Sequence, residues 1–390
     1  MPLTPALAAR HEVRAWTPEN LPADLVHAWA ALEDHAAEPN AYASPDFVLP
    51  ALKHLDAGAG AQILTVERLE GAHRLLTGVI VVQRRITPGL PVPHVRSYAS
   101  VHSFCGSPLI HRDHARATCE ALLSHLRTHL MLWAWQLDQV EVGGAVEQAL
   151  SAACKALGLG VSRGIVRRRA MLRPEDTGLD ALKRNLRKTF NEVERCRRRM
   201  GETGTLEWRV VRSGASDQAV EDFLRLEHAG WKQAEGTSLR SHAHEERFFR
   251  EVAANFSARG KALFTELTLD GVTIASTSNF VSGGMGFAFK VGWNPEYRKQ
   301  GIGILNEAEL VRHWSAHCAD LRGFDSGAEP ASFIEKLWPA HRELGQVTVH
   351  FNGASAAALA ASRWTRRLVQ RLRSAVRPAP APSAADSAPA

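Results

Sequence analysis

A chain of 390 residues, 45% hydrophobic and 23% charged, has the apolar content to bury the cores of two ordinary domains, which excludes a disordered or low-complexity protein. The formal charge of +6 suggests nucleic acid only until it is divided: residues 1–175 carry 17 Lys and Arg against 16 Asp and Glu, residues 176–350 carry 24 against 24, and residues 351–390 carry 6 against 1. The excess sits in the tail, so a uniformly basic binding surface is excluded as well.

Cys105, Cys119, Cys154, Cys196 and Cys318 form no CxxC pair and are odd in number, so neither a disulfide framework nor a zinc ribbon is indicated, and a reducing compartment is the simpler expectation. No apolar run reaches signal-peptide length near the start, and none approaches the roughly 20 residues of a membrane span. A cytoplasmic protein without a metal is expected.

An extended piece at Glu12 to Trp16 opens the first half, followed by a helix with Leu25, Trp29 and Leu32 on one face. Asn40 to Pro45 reads as loop and Phe47 to Leu55 as a second helix. Gln62 to Leu69, Leu75 to Val82 and Val95 to Ala99 read as strands, with turns at Gly71 and Pro88-Gly89. A helix at Ala117 to Leu132 and a strand at Trp135 to Val142 complete an α/β pattern around a mixed sheet. His94, His102, His111 and His114 are read as surface or core histidines. Cys105 is read as a buried cysteine that would act as a nucleophile only with a base beside it.

Met171 to Gly178 is the best candidate linker, which divides the chain at about residue 175. Beyond it, Leu182, Leu186, Phe190, Val193 and Met200 make an apolar stripe, and eight basic residues between Lys183 and Arg199 face only Glu192 and Glu194. Such a helix is either a solvated basic face or an anion platform for a tRNA backbone, a phosphorylated sugar carrier or a ribose phosphate. Then come strand Leu206 to Val211, helices Asp217 to Lys232 and His244 to Ser257, strand Ala262 to Leu269, an Asp270-Gly271 hairpin turn and strand Val272 to Val281.

The most informative stretch is GGMGFAFKVGWNPEYRKQGIGILNEAEL, residues 283–310. Met285, Phe287, Phe289, Val291 and Trp293 alternate as in a strand with one buried face, and Ile304, Leu305, Ala308 and Leu310 recur at helical spacing. Between them, Arg298-Lys299-Gln300-Gly301-Ile302-Gly303 gives a basic, glycine-containing turn leading into a helix. The first N–H groups of that helix have no intrahelical acceptor and share the positive end of its dipole, an arrangement suited to phosphate. Neither a P-loop nor a dinucleotide fingerprint can be written here.

Arg298, Gly301 and Gly303 fall on the fixed positions of Arg-x-x-Gly-x-Gly, and the turn resembles the acyl-coenzyme A pyrophosphate loop of the GNAT superfamily. Leu226-Glu227, Gly230-Trp231-Lys232, Phe248-Phe249, Gly271 to Ala275 and Phe324 to Gly327 further resemble the CelD-type acetyltransferases associated with bacterial cellulose synthesis. The likeness is strong from Leu179 to Val349 and weaker upstream, through Glu38-Pro39-Asn40, Ser44-Pro45 and Leu49 to Leu52. It implies an α/β fold of two tandem GNAT-like domains, each a mixed sheet flanked by helices. Residues 1–175, without the loop motif, would have lost the cofactor. Residues 176–350 would bind acyl-CoA, most simply acetyl-CoA, through Arg298, Lys299, Gln300, Gly301, Ile302 and Gly303. The strand before the loop would splay from its neighbour to admit the pantetheine arm.

Transfer to an amine needs a base, a grip on the acyl carbonyl and an acid for the leaving thiolate. Candidate bases are Glu227, Asp325 and Glu329, and candidate substrate-binding residues are Trp231, Lys232 and Lys290. Family members often use a tyrosine downstream of the loop as the acid, but the only tyrosines are Tyr42, Tyr98 and Tyr297, which leaves Ser326, Ser332, Lys336 or water. His313 and His317, at i and i+4, lack the Glu of a metal motif and are read as helix surface or core. From Ala354 to Val376 a basic amphipathic helix, with Leu359, Trp364, Leu368, Leu372 and Val376 as its stripe, either lies on an anionic membrane or packs on the protein. Residues 378–390 are expected to be disordered. The sequence thus implies an acyl-CoA-dependent N-acyltransferase, possible in envelope polysaccharide synthesis at the inner membrane face. The alternatives are a Fem-type aminoacyl-tRNA-dependent peptidyltransferase and a non-catalytic, membrane-associated scaffold.

Overall fold

One order of strands and helices is used twice. The computed structural model describes residues 10–55, 60–87, 89–212, 217–229 and 231–376, with side chains for all of these except Trp231 and residues 366–376. In the first pass β1 (Arg10–Trp16) leads to helices α1 (Ala23–His35) and α2 (Pro45–His54). The meander β2 (Ala61–Glu70), β3 (His73–Thr87) and β4 (Leu90–Ser97) follows, then the short β5 (Leu109–Ile110), α3 (Ala115–Thr128), β6 (Ala134–Glu141), α4 (Ala145–Ala156) and β7 (Gly160–Leu172).

Helices α5 (Leu179–Leu186) and α6 (Lys188–Thr203) connect to the second pass. There β8 (Leu206–Val211) precedes α7 (Asp217–His228), α8 (Trp231–Glu235) and α9 (Ala243–Ala258). The meander β9 (Ala262–Leu269), β10 (Val272–Ser282) and β11 (Met285–Trp293) leads to α10 (Ile302–Arg312), α11 (Trp314–His317), β12 (Phe324–Asp325) and β13 (Ala340–His350). Helix α12 (Gly353–Val376) is the final described element.

All these strands join one sheet in the order β1-β2-β3-β4-β6-β13-β7-β12-β11-β10-β9-β8, with β5 on β3. The five outer strands on each side repeat the same sequence of pairings. Each group ends in a short parallel contact, β4 with β6 through His94↔Ala134 to Arg96↔Gln136, and β11 with β12 through Gly286↔Phe324 and Phe287↔Asp325. The last strand of each pass crosses over: β13 lies between β6 and β7, and β7 lies between β13 and β12. The sheet is therefore continuous across residue 175, where the sequence suggests a boundary.

Burial follows the periodicities. Leu25, Trp29 and Leu32 of α1 are buried, and Asp270 and Gly271 both take positive φ, 49° and 78°, as a tight hairpin demands. An aromatic core containing Phe47, Phe223, Phe248, Phe249, Phe264, Phe280, Phe287 and Phe289 packs α2 of the first pass against α7 and α9 of the second.

Several expectations are corrected. Met171 and Leu172 belong to β7, with Leu172 fully buried against β12, so the expected linker is partly strand. The helix expected across 182–200 breaks at Arg187, whose φ of 49° no α-helix accommodates. The helix expected to run to Lys232 stops at His228 and restarts as α8. Elements α4 and β13 have no counterpart in the sequence reading. Pro88, Gly230 and residues 377–390, including the tail expected to be disordered, lie outside the described residues.

Candidate active site

Strand β11 ends at Trp293, and the side chain of Asn294 after it accepts the Glu296 N–H at 3.1 Å and starts a 3-10 turn at Pro295–Gln300. Gly301 then takes φ 70°, ψ 34°, the left-handed region that favours glycine, and redirects the chain into α10. The first intrahelical bond is Leu305 N–H to Gly301 O at 3.1 Å, so the N–H groups of Ile302, Gly303 and Ile304 precede the helical ladder. Gly303 is constrained differently: a Cβ there would stand 3.2 Å from Trp293 Cδ1.

Arg298 stands between two cavities. A groove of about 1090 Å³ runs between the turn and α6, lined by Lys299, Gln300 and Gly301 on one side and Arg195 and Arg199 on the other. Among the described residues Arg195, Arg199, Arg298 and Lys299 have no carboxylate partner. Three carboxylates also line this groove; Glu202 meets Arg198 at 3.7 Å and Asp270 accepts the Thr205 N–H at 2.8 Å, leaving Glu192. Ile302 is wholly buried in the core, so only its main chain is able to meet a phosphate. The second cavity, about 230 Å³, is bounded by Glu227, Lys232, Val291 to Trp293 and Arg298.

Glu227, in the last turn of α7, lies next to Gly292, where a Cβ would stand 2.4 Å from the Glu227 nitrogen, so only glycine lets the helix approach β11 this closely. Its Oε1 lies 3.3 Å from Lys232 Nζ and 3.6 Å from Lys290 Nζ, and its Oε2 accepts the Leu239 N–H at 2.9 Å. Lys232 also donates to Val291 O at 2.8 Å. Burial lowers the Lys232 pKa, opposed by the Glu227 charge and reinforced by Lys290. With both oxygens engaged, Glu227 has the surroundings of a fixed counter-ion. Trp231 heads α8.

The other two carboxylates lie elsewhere. Asp325, fully buried, is held by Arg342, by Arg169 at 3.8 Å and by the Gly327 N–H at 2.7 Å. Glu329 is exposed, pairs with Arg167 at 2.7 Å, and borders a further cavity of about 260 Å³. The structure thus gathers Glu227, Lys232, Lys290 and Arg298 at one end of β11, places Asp325 where β11 meets β12, and sets Glu329 beyond that point.

Between those ends the sheet opens. Strands β11 and β12 pair at only two positions, so among the described residues no strand partners residues 288–293 of β11 on that side. Register with β10 skips Phe289, a bulge that leaves one residue of β11 unpaired. Residues from the first pass close the inner end. The Tyr42 hydroxyl donates to Ala288 O at 3.1 Å, and a Cβ on Gly327 would meet Ala288 O at 2.6 Å and Phe104 at 3.1 Å. Burial raises the Tyr42 pKa well above its ordinary value, so the phenol holds its proton. His102, grouped in the sequence with unremarkable histidines, stacks on Phe248 and sits 3.3 Å from Glu245, whose carboxyl is held low by that contact. Tyr42, Phe104, Arg169 and His102 carry no local motif; only the cross-sheet packing reveals them.

Other candidates resolve simply. Cys105 is buried and its thiol is pushed up by desolvation. His313 and His317 pack their rings around Trp208, at 5.6 and 5.5 Å. In the first pass the gap beyond the β4–β6 contact is filled by the chain itself, with the Gly106 N–H donating to Gln139 O at 3.1 Å.

Residues 187–333 match the sequence model of a family described as an acetyltransferase (GNAT) domain. No curated protein matches the chain. Among solved structures, FemX is similar at TM-score 0.54 and 13% identity, over 86% of this chain and 96% of that one. A conserved protein of unknown function from Bacteroides thetaiotaomicron is similar at 0.50 and 12%, over 87% and 99%. A tandem GNAT protein from the clavulanic acid biosynthesis pathway is similar at 0.44 and 14%, over 88% and 99%. The fold is mixed α/β, a large sheet flanked by helices, and the stretch similar to the GNAT domain model runs from α6 through most of the second pass.

Proposed function

We propose that the protein is an acyl-CoA-dependent N-acyltransferase whose single site lies in the opening between β11 and β12. The observation that carries this reading is the parting of β11 from β12 immediately after Phe287 and Asp325, with the Arg298–Gly303 turn at the far end of the same strand. The N–H groups of residues 302–304, with Arg298 and Lys299, would hold the diphosphate, and the unpaired edge of residues 288–293 would lie along the pantetheine arm. Bound there, the coenzyme supplies a thioester as acyl donor, acetyl being the simplest.

The chain's own residues then manage charge and protons. Two protons leave the acceptor ammonium as its nitrogen forms the new C–N bond and the C–S bond breaks. His102, backed by Glu245, takes one; the other reaches the departing sulfur through the Tyr42 hydroxyl. Glu227, fixed by Lys232 and Lys290, sets the field at the entrance. Service in envelope polysaccharide or cellulose synthesis belongs to the same proposal. So does a peripheral membrane contact through α12, whose Trp364 is exposed while Leu359 packs against Leu90, Val92 and Ala134. No described helix is long and apolar enough to cross a membrane.

Titration calorimetry with acetyl-CoA tests the reading, with Gly303→Glu and Gly303→Ala compared because both meet Trp293 but only one brings charge. Binding retained in the alanine variant and lost in the glutamate variant supports it; no binding by wild type removes it. The unpartnered cations of α6 favour one second reading, an RNA-borne aminoacyl donor. That reading gains if wild type binds tRNA and ignores acetyl-CoA.

A further inference from the structure

The cavity of about 260 Å³ beyond Asp325 lies where two register irregularities of β13 coincide. Pairing of β13 with β6 jumps from Gly345↔Val140 to Val347↔Leu137, and pairing of β13 with β7 jumps from Gly345↔Val166 to Gln346↔Gly164. Between β13 and β6 the jump leaves Gln346 opposite Asp138 and Gln139 without pairing, between β13 and β7 it leaves out Ile165, and all four line the cavity. Bulges re-aim side chains and gather beside functional sites. Gln139 adds a backbone at φ 54°, uncommon for a residue with a side chain. Its carbonyl has a use, accepting Gly106 N–H, yet its side-chain Oε1 is buried with no hydrogen-bond partner.

The lining carries both signs of charge. Arg96 pairs with Asp138 at 2.5 Å and Arg167 with Glu329 at 2.7 Å, the latter pair more than half exposed on both sides and therefore readily exchanged for a ligand. Arg168, between Arg167 and Arg169 on the same strand, turns its side chain to the opposite face and bonds the His341 ring at 2.9 Å. The cavity also adjoins the opening in the sheet. Its wall includes Arg169 and Ala328; Arg169 donates to Phe104 O, and the neighbouring Gly327 packs on Ala288 O at the inner end of that opening.

We propose that this groove is the acceptor site, and that the acceptor is a small amine that also carries a carboxylate or phosphate, such as an amino acid or an amino-sugar phosphate. The inference rests on the acyl-transfer reading above. Arg167, whose exposed bond to Glu329 is the one exchanged, takes the anionic group, for which a guanidinium fork is the matched donor. Glu329 and the unpartnered Gln139 Oε1 accept from the ammonium and hold it on the Asp325 side of the β11–β12 opening. About 260 Å³ corresponds to roughly nine water volumes, room for a molecule of that size and not for a polymer.

The test measures thiol release from acetyl-CoA with matched acceptors: glucosamine 6-phosphate against glucosamine, and glutamate against its diamide. Arg167→Ala is compared with wild type, and saturation-transfer NMR reads acceptor binding directly. The expected result is a preference for the anionic member, with a KM at least tenfold higher in Arg167→Ala, kcat and the KM for acetyl-CoA unchanged, and no effect on the neutral member. Equal use of neutral and anionic acceptors, or an unaltered KM in the variant, overturns the proposal. If nothing is turned over, NMR decides: binding of an anionic amine that Arg167→Ala abolishes sustains the groove, and absence of such binding ends it. Failure of the acyl-transfer reading shows separately, as absence of acetyl-CoA binding to wild type.

Discussion

Replacing Arg342 by methionine isolates the contact that ties the two passes of the chain together. The Asp325 side chain is 1% exposed and that of Arg342 8%, so the pair has little water to fall back on. Arg342 belongs to β13, inserted among strands of the first pass, and Asp325 to β12, which pairs with β7 and β11. Burial disfavours the Arg342 charge, but Asp325, Cys105 and Glu141 together outweigh it and raise the pKa. Loss of one partner of a buried pair costs about 3–5 kcal/mol, because the survivor is left charged in a dry site. Here Arg169 remains 3.8 Å away and Gly327 N–H still donates at 2.7 Å, which places the expected loss near the lower end, about 3 kcal/mol. Urea unfolding followed by tryptophan fluorescence measures it. In the double variant with Asp325→Asn, which keeps the acceptor for Gly327 and removes the stranded charge, at least half of the loss should return. A single variant losing less than about 1 kcal/mol, or a double variant as unstable as the two singles added, would refute this account of the pair.

Glu307 on α10 is pushed up to about 7 from 4.5 by burial, with the Thr277 hydrogen bond opposing. Its neutral form is favoured on folding, so its stability contribution is full below about 4.5 and is lost as pH rises through about 7, a change of roughly 3 kcal/mol. Glu307→Gln should gain on wild type by that order between pH 5 and 8, and a gap independent of pH would show that the carboxyl is not buried as described. Tyr42→Phe should lower kcat by about 10²–10⁴-fold while leaving acetyl-CoA affinity unchanged; an unaltered kcat removes the phenol from the proton path. Arg195→Ala with Arg199→Ala should weaken acetyl-CoA binding about tenfold, and more steeply at low salt; calorimetry at two ionic strengths checks this. All five cysteines are buried, so a thiol reagent should label the native protein slowly and label five groups only after denaturation.

Local chemistry made much of this molecule legible in the sequence. Period-two alternation from Met285 to Trp293, the Asn294-Pro295 break, Gly301 and the helical spacing after it are all local signals, and each folds as read because each depends on neighbours within a few residues. The same is true of Asp270-Gly271 and of α1, whose buried face is the apolar face. Signals failed where local preference was weak or was overruled. Strand β7, rich in arginine from Arg163 to Arg169, looks like a charged connector until β13 pairs along it. The break at Arg187 has no glycine to announce it.

The site divides along the same line. Arg298, Gly301 and Gly303 were recognisable because the turn they form is built from consecutive residues. The partners that complete it come from far away: Tyr42 reaches Ala288 across 246 residues, and Arg169 reaches Phe104 across 65. Sequence also offered Glu227, Asp325 and Glu329 as equals, and it had no means to rank them. Two lysines and a main-chain N–H engage the first, two arginines bury the second, and the third stands exposed beside Arg167. Which carboxylates are locked and which face a cavity depends on what packs against them, and that was decided by the exchange of β7 and β13 between the two passes of the sheet.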